Sequence, residues 1–264
     1  MRMSVADDVR TRIAADLARA EETGVAVDPP TASHPDLDVV DAYEIQLINI
    51  RRRLDAGARI AGHKVGLASE AMQQMMGVDE PDYGHLLDTM QYHEGTPIDA
   101  SAFCFPRVEV EVGFLLGEDL PGATCTNGDV IDAVAAVVPS IELIDSRIRD
   151  WKITLCDTIA DNASSLGWVL GRERVEIDEI DVGDIDAVLE RNGEVVAKGN
   201  SSAVLGNPLN AVSWLARKVD SFGVRLKAGD VILPGTATRA IDIRAGDHFR
   251  AEFTGLGSVT IDFR

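Results

Sequence analysis

The spacing of apolar residues predicts a helix at the start of the chain. One apolar side chain recurs there every four positions, which places all of them on one face of a helix. The stripe consists of Val5, Val9, Ile13 and Leu17. Ser4 and Asp7 stand in the spacing of a helix cap, and Gly24 is a typical stop. The pattern therefore predicts an amphipathic helix that ends near Gly24.

A second apolar stripe follows a segment rich in turn residues. Residues 28–35 contain three prolines, and Asp38 is placed to cap a helix after them. The apolar positions of that helix are Tyr43, Leu47, Ile50 and Leu54, with Gly57 beyond them. Residues 1–57 are therefore predicted to form an N-terminal helical segment.

From residue 58 onward the chain consists mainly of short apolar runs separated by Gly, Pro, Asn and Asp. Several runs alternate polar and apolar residues, which is typical of strands. The predicted strands are 107–116, 137–144, 187–198, 230–233, 248–253 and 257–263, while 127–134 and 207–222 have helical spacing. Asn192 and Gly193 have the signature of a tight hairpin turn. The chain is thus predicted to be an α+β protein in which 58–264 form a β-rich domain that carries the candidate chemistry.

The charge balance excludes some partners. The 264 residues include 25 Lys and Arg and 44 Asp and Glu, which gives a net charge of −19. Such an acidic surface repels nucleic-acid phosphates and anionic lipids, so we expect neither nucleic acid nor membrane as a partner. Cys104, Cys125 and Cys156 are far apart, and residues 1–20 lack a signal-peptide pattern. These features favour the cytoplasm and argue against a disulfide framework or a thiolate zinc site.

Two glutamates on the predicted strand 107–116 are candidate metal ligands. Strand alternation sends Glu109 and Glu111 to the same face, with their Cβ atoms about 6.5–7 Å apart. Two carboxylates at that distance can converge on one cation. A strand with one solvent-facing side has the same alternation, so the pair alone leaves both interpretations open.

A third glutamate favours the metal interpretation. Glu142 lies within the almost continuously apolar run 137–144, which is typical of a strand buried on both faces. A buried carboxylate needs a cation or hydrogen-bond donors, because the desolvation of a lone charge is very costly. Three carboxylates without a neighbouring histidine or thiolate in the sequence form an oxygen site suited to Mg²⁺ or Mn²⁺.

Other polar segments are candidates for substrate contacts, although each has an ordinary structural explanation. Lys64 stands between glycines that permit close backbone approach, yet lysines in such segments commonly lie on the surface. Asp82 lies in a stretch with turn composition. The loop 157–165 and the segment 234–238 offer hydroxyls and an amide, which also serve as caps.

Taken together, these segments resemble the fumarylacetoacetate hydrolase superfamily, and within it the hydratase and decarboxylase branch. The resemblance covers essentially the whole chain. It rests on segments 62–67, 77–84, 107–111, 141–147, 157–165 and 233–236. It implies a mixed β-roll, barrel-like core preceded by N-terminal helices, and assembly into a homo-oligomer.

The resemblance also implies roles for individual residues. The three glutamates, Glu109, Glu111 and Glu142, would hold the divalent metal that the carboxylate and 2-oxygen of the substrate chelate. Lys64 and Asp82 match the acid/base pair of the branch, and we predict a hydrogen bond between them, with His85 a weaker candidate. The residues expected to contact the substrate are Leu67, Asn162, Ser164 and Thr236. Residues 235–238 read Gly-Thr-Ala-Thr where many relatives have Gly-Ser-Leu-Thr, which changes the expected shape of the pocket.

The implied activity is the hydration of a 2-hydroxy-2,4-dienoate to a 4-hydroxy-2-oxo acid in meta-cleavage catabolism of aromatic compounds or steroids. The dienol first becomes the 2-oxo-3-enoate as C5 gains a proton and the 2-hydroxyl loses one. Water then adds at C4 and a proton reaches C3. Such chemistry needs a Lewis acid at the 2-oxygen and at least one mobile acid/base group.

Several alternatives stay open at this point. A sister decarboxylase of the 4-oxalocrotonate type would use the same chelate to release carbon dioxide. A hydrolase that cleaves the carbon-carbon bond of a diketo acid, or a tautomerase, is a further enzymatic alternative. A noncatalytic partner subunit is the alternative from another class. The sequence leaves the substrate chain length, the choice between Mg²⁺ and Mn²⁺ and the subunit number open, and a neighbouring pathway enzyme is a candidate partner.

Overall fold

The computed structural model describes residues 4–69, 72–74 and 77–264. The helices are α1 (Asp7–Thr23), α2 (Pro30–Ser33), α3 (Val39–Asp55), α4 (Asn127–Ala133), α5 (Leu155–Ala160) and α6 (Pro208–Asp220). The strands are β1 (Ile60–Gly66), β2 (Asp82–Leu87), β3 (Arg107–Leu116), β4 (Val134–Ile144), β5 (Ser165–Leu170), β6 (Asp186–Arg191), β7 (Glu194–Asn200), β8 (Val231–Leu233), β9 (Ile241–Asp242), β10 (His248–Phe253) and β11 (Gly257–Asp262). Among the described residues, no helix combines the length and apolar character that a membrane span requires.

The N-terminal helices form where the sequence predicts them, with one different cap. α1 ends at Gly24, whose φ of 65° lies in the left-handed region that glycine adopts without strain. Asp38 caps α3, because its side chain accepts a hydrogen bond from the Asp41 N–H. The predicted cap at Ser4 is wrong, since α1 starts after Ala6 and has no side-chain cap. The N–H and hydroxyl of Ser4 instead donate to Asp41 and Asp38, so this residue ties the start of α1 to α3.

Two sheets form the β-rich part of the described chain. The larger has the order β2-β1-β8-β3-β4-β5, with β9 paired to β3, and it is mixed because β1 and β8 are parallel. The smaller is antiparallel with the order β11-β10-β6-β7. Asn192 and Gly193, with φ of 55° and 82°, form the predicted turn between β6 and β7. The predicted α+β fold, a barrel-like β-roll with N-terminal helices, is confirmed.

α3 supports the β1–β2 hairpin from one side. Tyr43 of α3 stacks on Tyr83 of β2, with ring centroids 4.5 Å apart. The Gln46 amide donates to the carbonyl oxygens of Tyr83 and Ile159, and so joins α3 to β2 and α5. Both tyrosines and Ile159 belong to one buried core that α1 and α3 share with the large sheet. The predicted boundary after residue 57 falls between α3 and β1, and the division into two domains stays a prediction.

Candidate active site and metal centre

Strand pairing brings the three predicted glutamates together. Glu109 of β3 lies directly opposite Glu142 of β4, and Glu111, two residues further along β3, lies opposite Ser140. One carboxylate oxygen of each glutamate lies within 4.8 Å of the others. The alternation in the sequence thus produces a single group of carboxylates on one face of the large sheet, called the glutamate cluster below.

The glutamate cluster is buried and has few hydrogen-bond donors. Glu111 and Glu142 are 0% exposed, and Glu109 is half-buried. The Gly235 N–H donates to Glu111 Oε2 over 2.8 Å, but the described residues give Glu111 Oε1 and both oxygens of Glu142 no hydrogen bond. Burial raises the pKa of Glu111 well above its ordinary value, and Glu142 and Glu109 raise it further. Burial also raises the pKa of Glu142 to about 7, although Lys64 opposes that shift.

These properties fit a hard divalent cation. Buried carboxylates without donors form a site whose negative charge a cation would neutralise. The described residues contribute three carboxylates and no histidine or thiolate to the cluster, which is the donor set that Mg²⁺ and Mn²⁺ prefer. Glu109, Glu111 and Glu142 are therefore the residues that would hold it.

Lys64 of β1 is buried beside the glutamate cluster. Its Nζ donates to the carbonyl oxygen of Ala163 over 3.0 Å and lies 3.4 Å from Glu142 Oε1. Burial alone would lower the pKa of Lys64, but Glu142 and the three other nearby carboxylates raise it above its ordinary value. The neighbouring carboxylates therefore stabilise the charged form of this buried lysine.

Asp82 lines the same cavity as Lys64. Its cross-strand partner is Gly66, and its carboxylate lies against that glycine. Burial raises the pKa of Asp82, although Lys64 opposes that shift. The predicted hydrogen bond between Lys64 and Asp82 is wrong, because Lys64 Nζ is turned to Ala163 and Glu142 and neither oxygen of Asp82 has a partner among the described residues. Asp82 begins β2, so the turn composition of its segment does not correspond to a turn at this residue.

Gly66→Ala should disturb both Asp82 and Lys64. A Cβ at this position would lie 2.1 Å from Asp82 Oδ1 and 3.5 Å from Lys64 Nζ, so Asp82 would have to move. We expect the free energy of unfolding, measured by urea denaturation, to fall by about 1–3 kcal/mol. Gly128→Ala in α4 is the control, because its Cβ would meet only Thr126 Oγ1 at 3.6 Å. Equal stability of Gly66→Ala and the wild type would contradict the close packing.

The two histidines next to these residues face away from the site. His63 and His85 are cross-strand partners on β1 and β2. Strand alternation directs their rings to the face opposite Lys64 and Asp82. His85 Nδ1 lies 2.9 Å from Gln46 Oε1, and burial lowers the pKa of His85 to about 4. His85 is therefore packed in the core beside α3, and the structure gives it no place among the acid/base groups.

A left-handed loop supplies the groups that face Lys64. Asn162, Ala163 and Ser164 have φ of 53°, 50° and 55°, a conformation that L-residues rarely adopt and that asparagine tolerates best. Asn162 Oδ1 accepts from the His85 N–H over 2.8 Å, and Asn162 Nδ2 donates to the His85 carbonyl over 3.0 Å. These two bonds tie the loop to β2 and so hold the Ala163 carbonyl against Lys64.

Asn162→Ala should weaken this loop. The substitution removes both hydrogen bonds and leaves the His85 backbone groups without them, so we expect the free energy of unfolding to fall by about 2–4 kcal/mol. Asn162→Gly is the matched variant, because it loses the same bonds but tolerates the left-handed φ, and it should lose less. Urea denaturation measures both. If Asn162→Ala were as stable as the wild type, the two hydrogen bonds between Asn162 and the His85 backbone would not be needed to hold the loop.

Two adjoining cavities lie beside the glutamate cluster. The inner cavity has a volume of about 200 Å³, and the outer cavity has a volume of about 630 Å³. The residues common to both linings are Gly66, Leu67, Met72, Arg107, Glu109 and Ala240. A bound molecule can therefore extend from one cavity into the other past Glu109.

The predicted substrate contacts divide between these cavities. Ser164 lines the inner cavity together with Lys64 and Asp82. Thr236 lines the outer cavity, where its hydroxyl donates to the Thr238 carbonyl over 3.0 Å. Leu67 lines both. Asn162 lines neither, because its amide is bonded to β2 on the other side of the loop.

The sequence pattern did not single out Arg107, which lines both cavities. Arg107 precedes Glu109 by two residues on β3, so the alternation that groups the glutamates also places it on their face. Its Nε donates to Asp242 Oδ1 over 2.8 Å, and its guanidinium carbon lies 4.4 Å from the centroid of the Trp151 ring. Thr158 and Trp151 also line the inner cavity. Thr158 belongs to the polar segment 157–165, whose predicted loop is wrong for residues 157–160 because they are part of α5. No local pattern marks Trp151.

Comparisons with known proteins agree with this fold. Residues 65–264 match the family described as fumarylacetoacetate (FAA) hydrolase C-terminal. A 2-keto-4-pentenoate hydratase from Paraburkholderia xenovorans (strain LB400) is 42% identical over 254 residues, which cover 96% of this chain and 94% of that protein. A 2-oxo-hept-4-ene-1,7-dioate hydratase from Escherichia coli is 39% identical over 261 residues, which cover 96% of this chain and 97% of that protein.

A solved structure extends the similarity to the whole fold. The 4-oxalocrotonate decarboxylase from Pseudomonas putida G7, complexed with magnesium and adipate, matches with a TM-score of 0.95 and 35% identity over 100% of both chains. The family match also covers most of the chain, and the two hydratases match over almost their entire length. This chain therefore belongs to the fumarylacetoacetate hydrolase family.

Proposed function

We propose that this protein is a metal-dependent hydratase that adds water to a 2-hydroxy-2,4-dienoate and forms a 4-hydroxy-2-oxo acid in meta-cleavage catabolism. The observation that carries the proposal is the position of the buried lysine Lys64, whose Nζ lies 3.4 Å from a carboxylate of the glutamate cluster and which lines one cavity with Asp82. An acid, a carboxylate base and a candidate metal centre are the groups that this reaction needs. Two relatives that match nearly the whole chain are named hydratases of such acids.

The glutamate cluster and the cavity walls would bind and orient the substrate. A divalent cation held by Glu109, Glu111 and Glu142 would supply a Lewis acid for the negative charge that develops on the 2-oxygen. Leu67 and Ser164 border the inner cavity, where the unsaturated chain would lie beside Lys64 and Asp82.

Lys64 and Asp82 would move the protons. Lys64 would donate a proton to C5 and take up the proton that the 2-hydroxyl loses, so that it ends this step in the form in which it began. The product of that step is the 2-oxo-3-enoate. Asp82, whose two oxygens have no partner among the described residues, would accept a proton from water as the water oxygen bonds to C4. Asp82 would then deliver that proton to C3, which completes the 4-hydroxy-2-oxo acid and restores the carboxylate.

A spectrophotometric assay tests this proposal. Freshly generated 2-hydroxypenta-2,4-dienoate and its six-carbon homologue should lose their conjugated absorbance in the presence of the Mg²⁺-loaded protein, and chelator should abolish the reaction. The appearance of the 4-hydroxy-2-oxo acid identifies hydration. A metal-loaded protein that leaves these dienols unchanged would contradict the proposal and favour a noncatalytic partner subunit.

A decarboxylase is the second candidate, because a solved structure that matches 100% of this chain is a 4-oxalocrotonate decarboxylase. Release of carbon dioxide from 4-oxalocrotonate by the same preparation would favour it over hydration. A diketo-acid hydrolase has less support. That mechanism, in the superfamily, uses a histidine near the metal, and no histidine of the described chain lines either cavity.

We propose Mg²⁺ or Mn²⁺ as the resident ion, a cytoplasmic location and a homo-oligomer, with a neighbouring pathway enzyme as a candidate partner. Metal analysis and light scattering of the purified protein test the ion and the assembly.

A further inference from the structure

A buried ion pair between Arg147 and Asp161 lies beside the left-handed loop of the candidate site. The two side chains are 4% and 2% exposed, and Arg147 Nε lies 2.6 Å from Asp161 Oδ1. Arg147 belongs to the segment 141–147, from which the proposed function uses only Glu142. It lines neither the inner nor the outer cavity, so it would not touch a substrate there. Since apolar replacement of such a pair is often neutral for stability, the pair is a candidate for a role in geometry.

Arg147 binds both ends of the left-handed loop. Its backbone N–H and its Nε donate to the two carboxylate oxygens of Asp161, over 3.0 Å and 2.6 Å. Its Nη2 donates to the Asp161 carbonyl, and its Nη1 donates to the Ser165 carbonyl over 3.0 Å. Asp161 precedes the left-handed residues 162–164, and Ser165 follows them. Because the guanidinium is planar and its donors form a fixed fork, Arg147 sets the distance between the two ends of the loop.

The conformation of the loop needs this support. Its three residues have φ between 50° and 55°, a region that L-residues avoid because Cβ approaches the following carbonyl oxygen. Such a segment persists only where the surrounding structure fixes it. The hydrogen bonds of Asn162 to β2 hold one side of the loop. Arg147 holds the other side together with Asp145, whose N–H donates to the Ser164 carbonyl over 2.8 Å.

The loop in turn directs the side chain of Lys64. A charged lysine has three N–H groups. One of them donates to the Ala163 carbonyl over 3.0 Å, and Nζ also lies 3.4 Å from Glu142 Oε1. These two acceptors leave one N–H group for a substrate in the inner cavity, which Lys64 lines. Glu142 lies near the end of β4 and Arg147 follows that end, so the same strand end places both acceptors.

We propose that Arg147 is a positioning residue for Lys64. It fixes both ends of the loop and thereby holds the Ala163 carbonyl where this oxygen directs Lys64 Nζ towards the inner cavity. The consequence for hydration rests on the proposed function, whereas the position of Lys64 does not. Asp161 is the partner through which Arg147 acts, and neither residue transfers a proton to the substrate.

A double variant tests this role without an unpaired buried charge. Arg147→Met/Asp161→Asn removes both charges, and the new amide oxygen can still accept the backbone N–H of residue 147. In the Mg²⁺-loaded protein, kcat for dienol hydration should fall by about 10- to 100-fold while KM changes less than about threefold, because a misplaced proton donor affects the reacting step and not binding. In crystal structures, Lys64 Nζ should bond the Ala163 carbonyl in the wild type and lie beyond the hydrogen-bond limit of about 3.5 Å in the variant.

Another buried ion pair provides the matched control. Arg10 and Asp41 join α1 to α3, with Arg10 Nη1 2.8 Å from Asp41 Oδ1 and with side chains 5% and 0% exposed. Neither residue lines a cavity beside the glutamate cluster. Arg10→Met/Asp41→Asn should also lower the melting temperature, but it should leave kcat and the distance from Lys64 Nζ to the Ala163 carbonyl unchanged.

Three results would overturn the proposal. They are an unchanged distance from Lys64 to Ala163 in Arg147→Met/Asp161→Asn, an unchanged kcat in that variant, and an equal loss of kcat in both double variants. The distance alone decides the position of Lys64 if the wild type does not hydrate dienols, so the two proposals can fail separately. If the double variant does not fold, Arg147→Lys decides by the same measurements, because a lysine lacks the fork that reaches Asp161 and Ser165 together.

Discussion

Lys64→Met should abolish most turnover while the protein keeps its metal. Methionine preserves much of the volume of the buried stem but has no proton to transfer, so kcat for dienol hydration should fall by about 10²- to 10⁴-fold. The Mg²⁺ affinity should not fall, because Lys64 Nζ lies 3.4 Å from Glu142 Oε1 and its removal deletes a positive charge beside the cation site. Steady-state kinetics and calorimetric Mg²⁺ titration measure the two effects.

The two measurements distinguish a role in proton transfer from a structural role. If Lys64→Met also loses Mg²⁺, the lysine acts through the position of Glu142, and its assigned role is wrong. Turnover within about tenfold of the wild type would also contradict the assignment. Lys227→Met removes an exposed lysine and should change neither quantity.

The elements with a clear period were predictable from the sequence. The predicted strand 107–116 is β3, because polar and apolar residues alternate over 107–112 and the apolar run 113–116 continues the strand. The predicted helix 207–222 is α6 with Asn207 as its cap, although the helix itself is shorter, Pro208–Asp220. Long amphipathic elements are predictable because the apolar face that produces the period in the sequence is also the face that packs against the core.

The strands of the β1–β2 hairpin were not predictable in the same way. Gly66 and Gly84 give them a turn-like composition, but both glycines are there for space. A Cβ on Gly84 would lie 2.4 Å from the Asn162 carbonyl oxygen, and a Cβ on Gly66 would lie 2.1 Å from Asp82 Oδ1. The side chains and loops that need this space come from other parts of the chain, so no local pattern reveals the reason for the glycines.

The candidate site was also predictable only in part. Strand alternation identifies Glu109 and Glu111, and the buried run identifies Glu142, because each signal is local. The orientation of Lys64 depends on the Ala163 carbonyl, which three successive left-handed residues present to it. Such a contact joins residues 99 positions apart, and sequence periodicity contains no information on it.

The effect of Glu111→Gln on stability should change sign when metal is added. In the metal-free protein, burial raises the pKa of Glu111 well above its ordinary value of 4.5, and Glu142 and Glu109 raise it further. A carboxyl group with a raised pKa in the folded state stabilises the fold least at high pH, because the unfolded state releases its proton first. Gln removes that cost and can still accept the Gly235 N–H. In chelator, the variant should therefore melt at a higher temperature than the wild type, by about 2–4 °C for each kcal/mol, with a gap that grows as the pH rises above 4.5.

With Mg²⁺ in excess the order should reverse. The wild type gains stability from a bound ion that the unfolded chain does not hold, whereas the variant lacks one of three carboxylate ligands. Removal of a residue that only hydrogen-bonds to a metal ligand commonly lowers metal affinity by about 10- to 100-fold. Because Glu111 would itself be a ligand, we expect Glu111→Gln to lower Mg²⁺ affinity by at least about 100-fold and to lower dienol hydration activity in parallel. Glu118→Gln, at an exposed position, should leave both melting temperatures unchanged. If the order of melting temperatures were the same with chelator and with Mg²⁺, the cluster would be a hydrogen-bonded structural feature and not a metal site, since only a bound cation makes the third negative charge favourable in this buried position.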